Sequence, residues 1–241
     1  MPRLAVLAFI LVLVSVLYLR QVNTKSDVGF SKPVNVLSRD SGVIWEKVDS
    51  KRLILIPNFD EKKSSRNVFE ENNCLVLVNG GFYSKTFKPI GYFIVNTQKL
   101  SDFEKNRLFD GIFSINEYGI PRITRVLPKD NLVNAVQTGP IIFENGATVS
   151  LNISRDKPAR RIIAAVTGSN ELIFIVFYSP SNYFLGPLLS DLPEEIKKLN
   201  ESEKLDIADA INLDGGSASS FITKNVSLTE ASPVGSYFCI Q

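Results

Sequence analysis

Three glycine-containing turns stand out in the sequence, because each follows an apolar run and each begins with a polar side chain. The turns are Asn79-Gly80-Gly81-Phe82, Gln137-Thr138-Gly139-Pro140 and Asp214-Gly215-Gly216-Ser217. Glycine allows the backbone to approach a ligand closely, and successive N–H groups in such a turn can bind phosphate or sugar oxygens. Hairpin turns use the same residue types, so any one of these turns alone predicts no function.

The chain contains no histidine. This excludes Ser-His-Asp and Cys-His catalysis and every metal site that needs an imidazole ligand. A hydrolase of this composition would use carboxylates, together with Arg, Asn, backbone N–H groups or an oxygen-ligated cation to stabilise charge. The sequence indicates no cofactor, and no dense cluster of carboxylates supports a divalent cation.

Taken together and in this order, the three turns resemble those of the phosphodiester glycosidase family. The similarity runs from about Asn79 to Phe221, and it includes a family turn at Pro89-Ile90-Gly91 and a family arginine at Arg161. The chain departs from the family pattern at Ala165, where glycine is usual. It also departs in residues 217–220, which are Ser-Ala-Ser-Ser where the family has Gly-Ser-Ser.

The resemblance implies a hydrolase that cleaves a sugar from a sugar-1-phosphodiester. Asp214 would stabilise the oxocarbenium-like sugar, and Arg161 would bind the departing phosphate through two oxygens. Asn79 and Gln137 would orient sugar hydroxyls or the attacking water. The other substrate contacts are expected at Gly80, Gly81, Thr138, Gly139, Gly215, Gly216 and Ser217.

The same residues permit other interpretations. An aspartate before glycine is typical of a simple turn, and Arg161 could form a surface ion pair while Arg160 takes its role. The chain could therefore be a non-catalytic envelope module that binds a sugar-phosphate polymer. It could also be a phosphodiesterase that cleaves the P–O bond with a metal held by Asp214 and Asp209.

The segments between the turns favour strands. Short β-type runs bounded by turn residues cover 43–48, 52–57, 74–78, 91–95, 111–115, 122–127 and 133–137. Two stronger runs, 161–166 and 172–178, are joined by Gly168-Ser169-Asn170 and predict a hairpin.

Helical spacing of apolar residues is confined to the C-terminal half. It predicts an amphipathic helix over 186–200, with Pro193 as an alternative start, and a shorter helix over 202–210. The predicted fold class is α+β, a β-rich mixed-sheet domain with a few packed helices, preceded by an N-terminal apolar segment.

The N-terminus carries a basic residue, Arg3, before an apolar run from Leu4 to Leu19. The length of this run lies between those of a signal peptide and a membrane-spanning helix, so residues 1–20 are predicted to be one or the other. Large side chains near the expected cleavage position favour an uncleaved anchor. Residues 21–40 are predicted to be a linker and 41–241 the domain, exported to the periplasm or another extracytoplasmic space.

The composition is that of a globular domain, with 22% charged residues and a net charge of +2. Basic residues are scattered among acidic ones, which excludes a nucleic-acid groove as the main surface. The predicted partners are a sugar-phosphate or glycan substrate and, through the N-terminal segment, a membrane. The two cysteines, Cys74 and Cys239, allow one disulfide or two separate thiols, and the oligomeric state is not predicted.

Overall fold

The computed structural model describes residues 35–38 and 41–241, and for 35–38 only the course of the strand. The predicted apolar segment 4–19 and most of the predicted linker lie outside these residues. Within the described part of the chain, no helix is both long enough and apolar enough to span a bilayer. Strand Asn35–Ser38 lies inside the predicted linker and pairs with Ser41–Val48.

Seventeen strands, numbered in chain order, form three sheets among the described residues. The seven-stranded sheet has the order β1 (Asn35–Ser38), β2 (Ser41–Val48), β13 (Leu172–Tyr178), β12 (Arg161–Thr167), β14 (Ile207–Asn212), β10 (Ile141–Glu144) and β11 (Ala147–Thr148). A five-stranded sheet has the order β16 (Ser227–Leu228), β15 (Phe221–Thr223), β4 (Val76–Asn79), β17 (Ser236–Ile240) and β3 (Leu53–Pro57). The third sheet has the order β6 (Gln98–Ser101), β5 (Phe93–Val95), β9 (Leu132–Thr138), β7 (Gly111–Asn116) and β8 (Pro121–Thr124).

The β-rich class is confirmed, but the predicted mixed sheet is wrong. Every pairing of named strands among the described residues is antiparallel. The predicted hairpin is confirmed, since β12 and β13 pair from Arg161↔Phe177 to Val166↔Leu172.

Two α-helices cover the outer faces of two sheets. Helix α1 (Ser65–Glu71) begins at the capping side chain of Ser64, and α2 (Leu192–Glu203) has proline in its first turn. Helix α2 confirms the amphipathic prediction, because Leu192, Ile196 and Leu199 pack on the seven-stranded sheet. The predicted short helix over 202–210 is wrong, because Ile207–Asn212 forms strand β14 in the middle of that sheet.

The main core lies where the inner faces of the three sheets meet. Phe174, Phe238 and Phe113 come one from each sheet, and their ring centroids lie 5.2, 5.8 and 6.4 Å apart. All three rings are buried. This contact fixes the sheets relative to one another, so the loops at their ends also have fixed positions.

One end of the domain gathers all three glycine-containing turns. Strands β4, β9 and β14 end there at Asn79, Thr138 and Asn212, while β12 and β17 begin there. Antiparallel pairing brings the loop before β7 to the same end, because Gly111 pairs with Thr138. We call this the site end of the domain.

Cys74 and Cys239 form a disulfide, with their Cα atoms 5.5 Å apart. The bond joins the residue just before the second sheet's central strand β4 to the neighbouring strand β17. The sequence had left this pairing open.

Candidate functional site

The first and third turns are joined by the side chain of Asn79. Its Nδ2 donates to Asp214 O at 2.8 Å and to Gly80 O at 3.0 Å, and its Oδ1 accepts from Ser220 N at 2.9 Å. The N–H of Asp214 in turn donates to Gly80 O at 3.3 Å. Asn79 is fully buried. Its amide therefore positions the Asp214 turn, and its buried side chain is not accessible to a sugar hydroxyl.

The second turn is attached to the end of β14 through Asn212. Thr138 Oγ1 and Gly139 N donate to Asn212 O at 2.9 and 3.1 Å, and Asn212 Nδ2 donates to Gly139 O at 3.0 Å. Sequence reasoning missed Asn212 as a site residue. The available signal was a polar side chain two residues before Asp214, at the end of a strand that had been predicted as helix.

Asp214 lies at the centre of this arrangement and keeps some solvent contact. Its carboxylate accepts a hydrogen bond from Gly215 N at 2.8 Å. Burial disfavours the charged form and raises the pKa of Asp214 to about 7, against the lowering effect of the Gly215 N–H. The carboxyl group thus changes its charge near neutral pH.

Tyr83 is a second residue of the site that the sequence did not single out. Burial, and then the charge of Asp214, raise the pKa of its hydroxyl group. The hydroxyl donates to Pro233 O, which ties the first turn to the loop 229–235. Its sequence signal was its position directly after the Asn-Gly-Gly-Phe motif.

Arg161 lies beside the Asp214 turn on the neighbouring strand β12. Its Nη2 donates to Asp156 Oδ1 at 3.2 Å and to Lys157 O at 2.7 Å, and its Nε donates to Pro187 O at 3.3 Å. Within the described residues, Nη1 has no acceptor. It lies 3.8 Å from the position that a Cβ atom on Gly215 would take. Arg161 therefore has one free pair of N–H donors next to Gly215.

The ion pair with Asp156 holds the Arg161 guanidinium in position and also balances its positive charge. Burial lowers the pKa of Arg161, and the charge of Asp156 opposes this effect. Burial would also disfavour the charge on Asp156, but N–H donors of Ser190 and Leu189 and the charge of Arg161 hold its pKa below the usual value. The hydrogen bonds to Asp156, Lys157 and Pro187 hold the guanidinium in place.

Arg160 cannot take the role of Arg161, so this alternative interpretation of the sequence is wrong. Its side chain is buried, donates from Nε to Ser219 Oγ at 2.8 Å and from Nη2 to Thr229 O at 2.7 Å, and lies over the ring of Phe184. Burial lowers its pKa to about 10. Arg160 holds the serine segment in place, and its buried side chain is not accessible to a ligand.

The glycine N–H groups are less available than the sequence suggested. Gly80 N donates to Ser236 O and Gly216 N to Arg160 O, at 2.7 and 2.8 Å. Gly215 N is bound to the carboxylate of Asp214. Only Gly81 N, of these four, lacks an acceptor among residues 41–241. Gly80 is needed for space, because a Cβ atom there would lie 2.2 Å from Ser236 Oγ.

Gln137 does not face a ligand, contrary to the sequence expectation. Its Oε1 accepts from Tyr92 N at 2.9 Å and from Glu104 N at 3.0 Å, and its Nε2 donates to Glu104 O and Phe109 O. All four hydrogen-bonding positions of the amide are occupied. Gln137 instead holds the loop 102–110 against β5.

Ser217 is exposed at the edge of the site and contacts the loop 229–235. Its Oγ accepts from Ser232 Oγ at 3.0 Å, and its carbonyl accepts from Ala231 N and Ser232 N. The turn after Asp214 is therefore held by this loop as well as by Arg160.

The proposed metal pair Asp214 and Asp209 is not brought together. The two residues are five apart along β14 and its extension, which corresponds to roughly 16 Å of strand. Asp209 instead accepts a hydrogen bond from Asn145 N at 3.0 Å, near the other end of the sheet. The described residues contain no group of three or more potential His, Cys, Asp or Glu ligands.

A cavity of about 510 Å³ lies beside Pro140, between residues 107–110 and 149–154. Its walls mix polar and apolar side chains, with Leu108, Asp110 and Arg125 on one side and the alternating apolar and polar residues 149–154 on the other. Since β14 lies between β12 and β10, this cavity and Arg161 flank the Asp214 turn on opposite sides.

The sequence profile described as phosphodiester glycosidase matches residues 72–241. No curated protein sequence matches the chain significantly.

Three solved structures share the fold at low sequence identity. The zebrafish N-acetylglucosamine-1-phosphodiester alpha-N-acetylglucosaminidase catalytic domain, auto-inhibited by its pro-peptide, is 14% identical with a TM-score of 0.62, covering 88% of this chain and 86% of that one. A hypothetical protein from Synechocystis is 13% identical with a TM-score of 0.62, covering 86% of this chain and 60% of that one. A candidate exported protein from Burkholderia pseudomallei is 11% identical with a TM-score of 0.54, covering 83% and 73%.

Proposed function

Because the chain belongs to the phosphodiester glycosidase family, we propose that it hydrolyses a sugar-1-phosphodiester by breaking the bond between the anomeric carbon and the phosphate oxygen. One observation carries this proposal: the carboxylate of Asp214 and the free Nη1 of Arg161 flank the same residue, Gly215. A carboxylate and a guanidinium beside the same turn supply the two charges that could stabilise such a cleavage.

Cleavage of the C1–O bond separates positive from negative charge. Asp214 stabilises the positive charge on the sugar, and Arg161 stabilises the negative charge on the phosphate. As the C1–O bond breaks, the sugar gains positive character beside Asp214, and the phosphate leaves with the bonding electrons toward Arg161. Water then adds its oxygen to C1, and the released proton passes to the phosphate or to solvent. A phosphate anion leaves readily, so protonation of the departing oxygen is less important than for an ordinary glycoside.

The positions of the flanking strands suggest an orientation for the substrate. Arg161 begins β12 and Pro140 precedes β10, on either side of β14. Neighbouring strands lie about 4.8 Å apart, so these two positions are about 10 Å apart across the sheet. A substrate whose phosphate binds Arg161 therefore directs the far side of its sugar toward the cavity beside Pro140.

The test is hydrolysis of N-acetylglucosamine-1-phosphate methyl diester in oxygen-18 water by the full chain, with glucose and galactose analogues in parallel. We expect the label in the released sugar. Label in the phosphate would show P–O cleavage and overturn the proposal. Binding of these diesters without any turnover would support the non-catalytic envelope module instead.

We also propose that the domain acts outside the cytoplasm. The Cys74–Cys239 disulfide is typical of an oxidising compartment, and the apolar run from Leu4 to Leu19 is a candidate export segment. One of the fold neighbours is a candidate exported protein. Fractionation of cells that express the full chain, with accessibility to an external protease, tests this placement.

A further inference from the structure

Large exposed hydrophobic side chains are concentrated at one end of the domain. Of the ten among the described residues, seven lie on loops at the site end: Phe103, Leu108, Val126, Leu127 and residues 183–185. Single exposed apolar residues are normal on a protein surface, but a concentration of them at one end of a domain is unusual.

The strand register places each of these loops at the site end. Residues 102–110 precede Gly111, which pairs with Thr138, and residues 125–127 follow Thr124, which pairs with Ile112. The ion pair between Arg125 and Asp110 confirms that these two loops are neighbours. Residues 179–188 follow the end of β13, next to Arg161, whose Nε donates to Pro187 O.

The loops at the site end together carry an excess of positive charge when residues 82–92 and 149–161, which also lie at this end, are included with 102–110, 125–127 and 179–188. Six basic side chains there form no ion pair with any described residue: Lys85, Lys88, Lys105, Arg107, Arg155 and Lys157. The acidic residues Asp102, Asp110 and Asp156 on these loops are each paired with a cation. Glu104 is the remaining acid of these five loops, which hold nine basic and four acidic residues. Asp214 and Glu230 at the same end reduce the difference to +3, so the site end is positively charged.

We propose that the site end docks on an anionic lipid bilayer and that the substrate is a lipid-linked sugar phosphodiester. Exposed aromatic and aliphatic side chains together with unpaired Lys and Arg on one surface are the composition that binds membrane interfaces. Residues 183–185 lie beside Arg161, where the phosphate leaves, so a lipid attached to that phosphate would extend directly into this surface. This inference rests on the proposed function for its substrate but not for its docking surface.

The chemistry balances with water as the only co-reactant. Water supplies the hydroxyl group of the free sugar, and the lipid phosphate departs with the electron pair of the C1–O bond. The lipid product stays in the bilayer, while the sugar is released to water.

The test measures hydrogen–deuterium exchange of the full chain with vesicles of phosphatidylglycerol and of phosphatidylcholine. We expect protection of residues 102–108, 125–128 and 181–187 on the anionic vesicles, with little change on phosphatidylcholine and none at the β7–β8 turn around Tyr118. Binding through the N-terminal segment alone would leave the three loops unprotected and would overturn the proposal.

A second measurement compares the rates on a soluble methyl diester and on a polyprenyl-phosphate sugar in anionic vesicles. We expect the variant Val126→Ser/Leu127→Ser/Leu185→Ser to keep the soluble rate and lose at least about tenfold on the vesicle substrate. The control is Leu75→Ser/Tyr118→Ser, whose side chains are 53% and 70% exposed but lie at the opposite end. Equal loss in both variants would contradict the docking surface, whereas protection of the loops without hydrolysis of either substrate would support docking and contradict the proposed function.

Discussion

The turn that carries Asp214 is held by backbone groups and by Asn79, not by its own carboxylate. The main chain of Asp214 is bonded on both sides, through its N–H to Gly80 O and through its carbonyl to Asn79 Nδ2. The carboxylate makes one hydrogen bond, to Gly215 N. Its charge is therefore available to a ligand, and its removal leaves the turn in place.

Replacing this carboxylate by an amide should abolish most of the activity while the fold is retained. For Asp214→Asn we expect kcat to fall by a factor on the order of 10² to 10⁴, because the oxocarbenium-like sugar loses its counter-charge. The measurement is initial-rate kinetics on the soluble diester, with circular dichroism to check the fold. The matched control is Asp209→Asn on the same strand, and an equal loss in that variant would contradict a specific role for Asp214.

The raised pKa of Asp214 makes a prediction about stability. The folded pKa of about 7 lies above the ordinary value of 3.8, so the unfolded chain ionises first as the pH rises. Asp214 therefore destabilises the fold progressively from about pH 4 to pH 7, by at most about 4 kcal/mol since one pKa unit corresponds to about 1.36 kcal/mol.

Asp214→Asn should thus gain stability over the parent protein at pH 8 and show no gain at pH 4. Urea unfolding at the two pH values measures this difference. A constant offset between the two proteins at both pH values would show that the carboxyl group titrates normally. In the parent protein, kcat should rise with pH through about 7, as the carboxylate forms.

Substitution of Arg161 should lower activity, whereas substitution of its neighbour Arg160 should lower stability. Arg161→Gln removes the free Nη1 donors, and we expect kcat/KM to fall by a factor on the order of 10² to 10³. Arg160→Gln leaves the carbonyls of Ser219 and Thr229 without their donors, and we expect a loss of about 1–3 kcal/mol of unfolding free energy. Kinetics and thermal unfolding of both variants are the measurements, and the reverse pattern would reassign the phosphate contact to Arg160.

At the scale of the elements, short runs bounded by turn residues predicted nine of the seventeen strands described, and β1, β6, β10, β11 and β14 to β17 were not predicted. Strand β14 was predicted as helix, because Ile207-Ala-Asp-Ala-Ile-Asn does not alternate apolar and polar residues, lies shortly after a helix and contains two alanines, which favour helix. Antiparallel pairing with both β12 and β10 decides the outcome. This tertiary pairing is not visible in the local sequence.

The sequence predicted which motifs form the site, but not which of their residues hold loops and which are available to a ligand. The sequence predicted that Asn79, Gln137 and Asp214 lie at the ends of strands, and in the structure these ends lie together. It could not show that the buried amides of Asn79 and Gln137 bind backbone groups, because partners such as Asp214 O and Phe109 O lie far away in the chain. Polar residues at strand ends hold loops as often as they hold ligands.

Gln137 should therefore act through the loop that it anchors. In Gln137→Ala the N–H groups of Tyr92 and Glu104 and the carbonyl of Phe109 lose their partner, and we expect a loss of about 2–4 kcal/mol of unfolding free energy. Asn134→Ala on the same strand is the control, because its hydrogen bonds are longer, at 3.3 and 3.5 Å. Chemical denaturation compares the two, and an equal or smaller loss for Gln137→Ala would contradict the anchoring role.

At the scale of the whole molecule, the site depends on three sheets that keep fixed relative positions. The first turn leaves β4 in the second sheet, the second leaves β9 in the third sheet and the third leaves β14 in the first sheet. The aromatic contact of Phe113, Phe174 and Phe238 joins these sheets in the core. The second sheet is further secured by the disulfide between residues 74 and 239.

The disulfide should contribute strongly to stability and little to chemistry. It closes a loop with a sequence separation of 165, so its loss releases much chain entropy in the unfolded state. For Cys74→Ser/Cys239→Ser we expect a loss of about 2–5 kcal/mol of unfolding free energy, while kcat of the folded variant stays within about twofold. Thermal unfolding with and without dithiothreitol measures the effect, and the reductant should lower the midpoint of the parent protein and leave that of the variant unchanged. A parent protein that is insensitive to reductant under unfolding conditions would show that the two thiols are not joined.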